Sequence, residues 1–331
     1  MEFAITFKGD ISPKRTVALC KQAEVGGFTH GWFFDSHVLW RDCYPTIAMC
    51  MEHTETMIFG PCVTNPGVRE WSVASSLFAT LAMQSGGRFK IGLGRGDSSR
   101  RVLGKRPMTV ENMKEFTKKL KGIVKGDHVE YHDTETQLPW AEGYDIPVWI
   151  AAYGPKALKA AGVVGDGLIV QLGDPGLVKW FHDQTLNSGK LLKRDMSDFQ
   201  LMTAAPVWVG DIEKSREQTK WFPAMVGNHV ADIVEKYGKK SKKIPKHFLD
   251  YIEGRKGYDY KEHADKDADH LGFITEEIID SFGVLGEVDD HIKKIKELEA
   301  VGVTQFNIYL MCGEEERIVA EYAEHIIPEF Q

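Results

Sequence analysis

The chain repeats one phrase: a short apolar run, then a cluster of Gly, Asp, Asn or Ser, then a helical stretch of mixed charged and apolar residues. The apolar runs stand at 2–7, 31–35, 57–64, 89–94, 147–152, 167–172, 200–209 and 305–311. Helical stretches lie between and after them at 12–25, 44–53, 73–84, 110–124, 155–164, 176–188, 288–300 and 314–327. Strands that alternate with helices build parallel sheets, because a parallel connection must cross over and a helix is the usual crossover. An open doubly wound sheet has about five or six strands. Eight phrases therefore predict closure into an α/β (β/α)₈ TIM barrel. The first helix carries its own punctuation. Ser12 can cap it, Pro13 fits its first turn, and Gly26-Gly27 ends it.

Two segments break the rhythm. Residues 128–145 contain Glu130-Tyr131 and an apolar stretch at 138–140, which read as a small hairpin or a surface loop. Residues 222–274 are polar, with helical pieces and too few apolar side chains for a core of their own. The expectation is one TIM-barrel domain over 1–331, with insertions at 128–145 and 222–274 over the C-terminal mouth.

Composition narrows the function classes. Of 331 residues, 43% are hydrophobic and 27% charged, which is ample for one large core. A net charge of −7 argues against a nucleic-acid partner, since affinity for phosphate backbones comes from clustered Lys and Arg. The lysines at 239–240 and 242–243 are flanked by acidic stretches and read as a solvated helix end. Five cysteines, an odd number without a CxxC pair, suit reduced thiols in the cytoplasm. No apolar run approaches the roughly 20 residues of a membrane helix, so no membrane partner is expected. Residues 1–8 alternate like a strand rather than forming a signal peptide. Asp265, Asp267, Asp269 and Glu276 have EF-hand spacing, but His270 stands where the loop needs Gly. An acidic surface loop without metal is the expectation.

In such a barrel the chemistry gathers where strands end and βα loops begin. After the second strand stand Asp35-Ser36-His37, with Trp40 close behind. A His there can exchange protons near neutral pH, or the Asp merely caps a helix and the His packs. After the third strand, Thr64-Asn65-Pro66-Gly67 is either a plain turn or backbone shaped for a planar ligand, with Thr64 or Asn65 reaching ring heteroatoms. The fourth strand runs into Gly92-Leu93-Gly94-Arg95-Gly96-Asp97-Ser98, which lacks dinucleotide-fingerprint spacing but lets a ring lie against the backbone. Asp97 is a candidate proton donor or hydroxyl anchor. Arg100 and Arg101 either hold an anion or are solvated. After the fifth strand, Tyr153-Gly154-Pro155-Lys156-Ala157-Leu158 opens a helix whose free N–H groups face out of the mouth. Such a terminus binds phosphate through amides and dipole, and Lys156 adds charge. Gln171, after the sixth strand, can reach the phosphate or ribityl region. Trp140, Tyr258, Tyr260 and His263 are candidate pocket lining.

With these residues placed, the chain resembles the bacterial-luciferase-like flavin and deazaflavin oxidoreductases over nearly its whole length. The resemblance rests on Gly31-Trp32-Phe33-Phe34-Asp35-Ser36-His37, Val63-Thr64-Asn65-Pro66, Gly92-Leu93-Gly94-Arg95-Gly96-Asp97-Ser98 and Ala151-Ala152-Tyr153-Gly154-Pro155-Lys156-Ala157-Leu158. Residues 297–310 are similar to the family's end, and the nearest branch is the methylenetetrahydromethanopterin-reductase-like one. The resemblance implies FMN or F420 at the C-terminal mouth and a β-bulge, often with a non-prolyl cis peptide, near Val63-Thr64. It implies a phosphate turn at Gly154, Pro155, Lys156 and Ala157, and further cofactor contacts from Asp35, Val63, Thr64, Asn65, Gly94 and Gln171. Its catalytic positions fall on His37 as acid/base, Asp97 as acidic residue and Trp40 beside the ring. The implied activity is hydride transfer between F420 and a small organic substrate, in a homodimer. The alternative is an FMN-dependent monooxygenase that uses O2 and a flavin reductase partner. A flavin-free barrel hydrolase or aldolase would want a metal-ligand set or a Schiff-base Lys at a strand end, and neither is clearly placed. A non-catalytic flavin carrier is a further reading.

Overall fold

The computed structural model describes residues 1–131, 133–226 and 274–331. Its strands are β1 (Glu2–Phe7), β2 (His30–Phe33), β3 (Ile58–Pro61), β4 (Ile91–Leu93), β5 (Val129–Tyr131), β6 (Thr134–Thr136), β7 (Val148–Ala151), β8 (Gly167–Val170), β9 (Gln200–Val209), β10 (Val284–Gly286) and β11 (Gln305–Tyr309). Its helices are α1 (Pro13–Val25), α2 (Cys43–His53), α3 (Trp71–Gln84), α4 (Ser98–Arg101), α5 (Val110–Ile123), α6 (Pro155–Val164), α7 (Pro175–Leu191), α8 (Ile212–Thr219), α9 (Glu276–Phe282), α10 (Val288–Ala300) and α11 (Glu315–Glu321).

Eight strands pair in the order β3-β2-β1-β11-β9-β8-β7-β4, every pair parallel. The ring is drawn together between β3 and β4 by isolated bridges at Phe59–Phe89 and Thr64–Leu93. Between these bridges the third strand advances five residues while the fourth advances four. The extra residue is a bulge, and the Cys62–Val63 peptide inside it is cis. The (β/α)₈ expectation holds, with the bulge one residue before the expected position.

The interior is packed rather than hollow. Trp32 and Trp149 are fully buried, 5.8 Å apart between ring centroids. Polar groups enclosed with them find partners, as enclosed polar groups must. Trp32 Nε1 donates to Gln305 Oε1 at 2.9 Å, and Thr6 Oγ1 donates to Asn307 Oδ1 at 2.9 Å.

Several elements differ from expectation. β10 is an added strand beside the end of β9, three residues long and too short to stand out as an apolar run. The hairpin joins 129–131 to 134–136 and not to 138–140. It lies on the outside, where Tyr131 stacks on Trp71 at 4.4 Å. Residues 221–226 are helical, and Phe222 and Met225 are core residues. The remainder of 222–274, from 227 to 273, lies outside the described residues. With it lie Tyr258, Tyr260, His263, the acidic cluster at 265–269 and the lysines at 239–243. Among the described residues, no helix is long and apolar enough to cross a membrane.

One buried histidine is expected to make the fold acid-sensitive. His291 lies on α10, fully enclosed, donating from Nε2 to the Trp208 carbonyl and accepting the Tyr322 hydroxyl at Nδ1. Burial lowers its pKa to about 4. The unfolded chain binds the proton near the ordinary value of 6.5, so its stabilisation is complete above that pH and is lost as pH falls towards 4. The full effect is about 3 kcal/mol. His291→Gln is expected to narrow the gap between urea midpoints measured at about pH 7.5 and about pH 4.5. An unchanged gap would assign the acid sensitivity elsewhere.

Candidate functional site

A cavity of about 1120 Å³ opens at the C-terminal ends of the strands. Of the sequence-derived candidates it is lined by Asp35, Val63, Gly94, Asp97, Gly154, Pro155, Lys156, Ala157 and Gln171. His37, Trp40, Thr64 and Asn65 are not in its lining. The chain turns after β2, so that Asp35 and Ser36 face inward and His37 is exposed. Ser36 stands at the cavity wall, its Oγ 2.9 Å from Ser98 Oγ. Trp40 sits one layer back, 5.4 Å from the Phe34 ring that lines the cavity.

Asp35 is the most heavily engaged group in the site. The residue is 2% exposed and its side chain is fully enclosed. Oδ2 accepts from Thr64 Oγ1 at 2.7 Å, Arg69 Nη1 at 2.6 Å and Tyr44 Oη at 3.2 Å. Oδ1 is buried and has no hydrogen-bond partner among the described residues. A carboxylate oxygen enclosed without a donor carries a desolvation cost of about 1–3 kcal/mol or more, so it fits a ligand N–H or O–H. Asn65 plays a supporting part: Nδ2 donates to Ser99 Oγ at 2.9 Å and Oδ1 accepts the Gly67 amide at 3.0 Å.

Across the cavity, α6 begins at Gly154 with no side-chain cap and with Pro155 in its first turn. Its first amides are therefore left for an anion, and exposed Lys156 and Lys159 stand beside them. By contrast, Asp42, Thr109 and Asp174 cap α2, α5 and α7 through their own side chains. The wall at Tyr153 and Gln171 is polar, and it is backed by Tyr309. Tyr153 Oη donates to Gln171 Oε1 at 3.0 Å and accepts the Gln171 amide at 2.8 Å, while Gln171 Nε2 donates to Tyr309 Oη at 2.5 Å. Burial raises both phenol pKa values and pushes the nearby Cys62 thiol up to about 12, so all three stay protonated at neutral pH. Cys62 is thus no nucleophile. Asp97 pairs with Arg101 at the rim. No group of three or more His, Cys, Asp or Glu side chains is gathered for a metal among the described residues.

Sequence reasoning placed Ser36 at the mouth without giving it a role, and it missed Arg69, Tyr309 and Met225. Arg69 had no signal beyond a charge in a loop, and Tyr309 lies inside an apolar run that reads as core.

A barrel with a bulged third strand, an uncapped α6 and a charged cleft between them matches the profile of luciferase-like monooxygenases over residues 1–305. The chain belongs to that family. Among relatives of this luciferase-like oxidoreductase is the 5,10-methylenetetrahydromethanopterin reductase of Archaeoglobus fulgidus, 29% identical over 92% of each chain. The solved coenzyme F420 dependent tetrahydromethanopterin reductase from Methanopyrus kandleri superposes with a TM-score of 0.80 at 22% identity, covering 100% of this chain and 99% of that one. An F420-dependent secondary alcohol dehydrogenase in complex with an F420–acetone adduct superposes at 0.77 with 18% identity, each chain covered completely. At those identities the two structures speak to the shared fold.

Proposed function

We propose that this luciferase-like protein is an F420-dependent oxidoreductase acting on a small organic substrate. One observation carries the choice of F420 over FMN. Among the described residues, six cationic side chains line the cavity, Arg95, Arg101, Arg106, Lys114, Lys156 and Lys159, against three carboxylates, Asp35, Asp97 and Glu111. A single phosphate needs fewer counter-charges, whereas a coenzyme that carries carboxylates beyond its phosphate engages such a rim.

When bound, the deazaflavin supplies a two-electron hydride carrier. The protein's own residues do the rest. The α6 amides and Lys156 would hold its phosphate, the unpartnered Asp35 Oδ1 would take a ring N–H, and Val63 and Gly94 would supply the surface beneath a planar ring. Gln171, fixed by Tyr153 and Tyr309, presents its amide at the deep wall. We place proton exchange with substrate on Asp97 and on the Ser36–Ser98 hydroxyl pair, because they line the cavity whereas His37 does not. The same reading includes a cytoplasmic setting and a homodimer. A flavin reductase partner belongs to the FMN alternative.

Parallel titration of purified protein with F420 and FMN tests this. F420 is expected to bind at least about tenfold tighter at low salt, with the gap narrowing as salt screens the rim. Tight FMN binding with F420 ignored would transfer the reading to an oxygen-using, reductase-partnered monooxygenase. Binding of neither would sink both readings and revive a flavin-free hydrolase.

A further inference from the structure

Arg69 lies outside the cavity lining, yet it holds a carboxylate residue that is part of that lining, Asp35. Its guanidinium forks between two carboxylates, Nη1 at 2.6 Å from Asp35 Oδ2 and Nη2 at 2.7 Å from Asp42 Oδ2. Its plane lies over the Tyr44 ring, with Cζ 4.5 Å from the centroid. Asp42 in turn caps α2 by accepting the Tyr44 amide at 3.1 Å. One side chain on the loop after β3 thus clamps both ends of the loop between β2 and α2.

The clamp is asymmetric. Arg69, Thr64 and Tyr44 all donate to the same oxygen of Asp35, and none donates to the other. An unanchored carboxylate can rotate about its terminal torsion and share its donors between both oxygens. With three donors on one side, including a planar fork that cannot follow such a rotation, the orientation is set. Lysine could not reproduce this, because a single ammonium cannot present two fixed donors to carboxylates on opposite ends of the loop.

We propose that Arg69 is a positioning residue that saturates Asp35 Oδ2 and so presents Oδ1 to a heterocyclic N–H of the bound coenzyme. This rests on the cofactor reading above. It assigns a function to a residue that touches neither coenzyme nor substrate. The ligand chemistry it serves is a pyrimidinedione-type edge, in which a polarised N–H meets a carboxylate oxygen already stripped of water.

The test is a double-mutant cycle on cofactor affinity, with F420 and FMN as probes, on the wild type, R69M, D35N, R69M/D35N and R69K. Arg69→Met and Asp35→Asn are each expected to weaken binding by about tenfold or more. The double variant is expected to bind about as well as Asp35→Asn alone, because an arginine with no carboxylate to aim contributes nothing further. Losses that multiply in the double variant would overturn the proposal, since a general packing role acts without Asp35. Should Arg69→Met fail to fold, Arg69→Lys decides: weakened binding supports the fork, and wild-type affinity overturns it. Wild-type protein that binds neither probe overturns the cofactor reading and this inference together. Wild-type binding with independent single effects overturns this inference alone.

Discussion

Gly60→Ala is expected to prevent the barrel from closing. Gly60 lies in β3 beside the seam with β4, and a methyl group built there would stand 1.8 Å from the Lys90 carbonyl oxygen and 2.9 Å from its carbon. Real carbon atoms do not approach a backbone oxygen so closely, and the offending atoms belong to the backbone just before β4 rather than to a side chain that can turn away. The same point lies 3.1 Å from the Trp32 ring, which leaves little free space around it. Relief requires moving β4, whose neighbours β7 and the bulge both depend on its place. The expected loss exceeds about 3 kcal/mol, the tail reserved for steric conflicts in a packed core. For a protein of this size that is a melting temperature lower by several degrees at least, or insoluble expression. A circular-dichroism melt matching the wild type would show that the seam yields, and with it the claim that close backbone approach closes the barrel.

Gly94→Leu is expected to abolish coenzyme binding while leaving a folded protein. A Cβ at Gly94 would lie 2.9 Å from Val63 Cγ2 and 3.9 Å from Ala151 Cβ, and all three residues line the cavity. The near contact is the tip of a side chain, so the structure can adjust at about 1–3 kcal/mol. The rest of a leucine would then occupy the surface where the ring is proposed to lie. The expected loss of F420 affinity is at least about 100-fold, with the melting temperature lowered only modestly. Retained affinity would move the ring away from the Val63–Gly94 surface and leave the cavity to the substrate.

The architecture was readable because its signals are local and repeated. β1, β9, α6 and α10 fall within the bounds that apolar runs and capping residues suggest, and the α6 start was marked by Gly154-Pro155 alone. The run at 57–64 reads as one strand because Cys62 and Val63 look no different from strand residues. What removes them from the ladder is the extra residue on one side of the seam, which depends on the register with β4. The candidate site was legible by position and less so by orientation. Asp35, Ser36 and His37 stand together in the chain, yet two face the cavity and the imidazole faces solvent. The environment of Asp35 depends on Arg69, which is 34 residues away in the chain. No pattern in either stretch announces that pairing, because a fork between two carboxylates exists only once the loops after β2 and β3 are folded against each other.

The seam has one more consequence. Seven of the eight joints around the ring are continuous parallel ladders, whereas the eighth is held at its two ends, with the bulge arched between them. Val63 and Gly94, the proposed resting surface of the ring, stand on the two staves that meet there. A coenzyme laid across them would act as a hoop driven over a split cask, adding its binding free energy to the one joint of the ring that has no continuous ladder. Loading the cofactor and drawing the barrel tight would then be one equilibrium, seen from the ligand and from the protein.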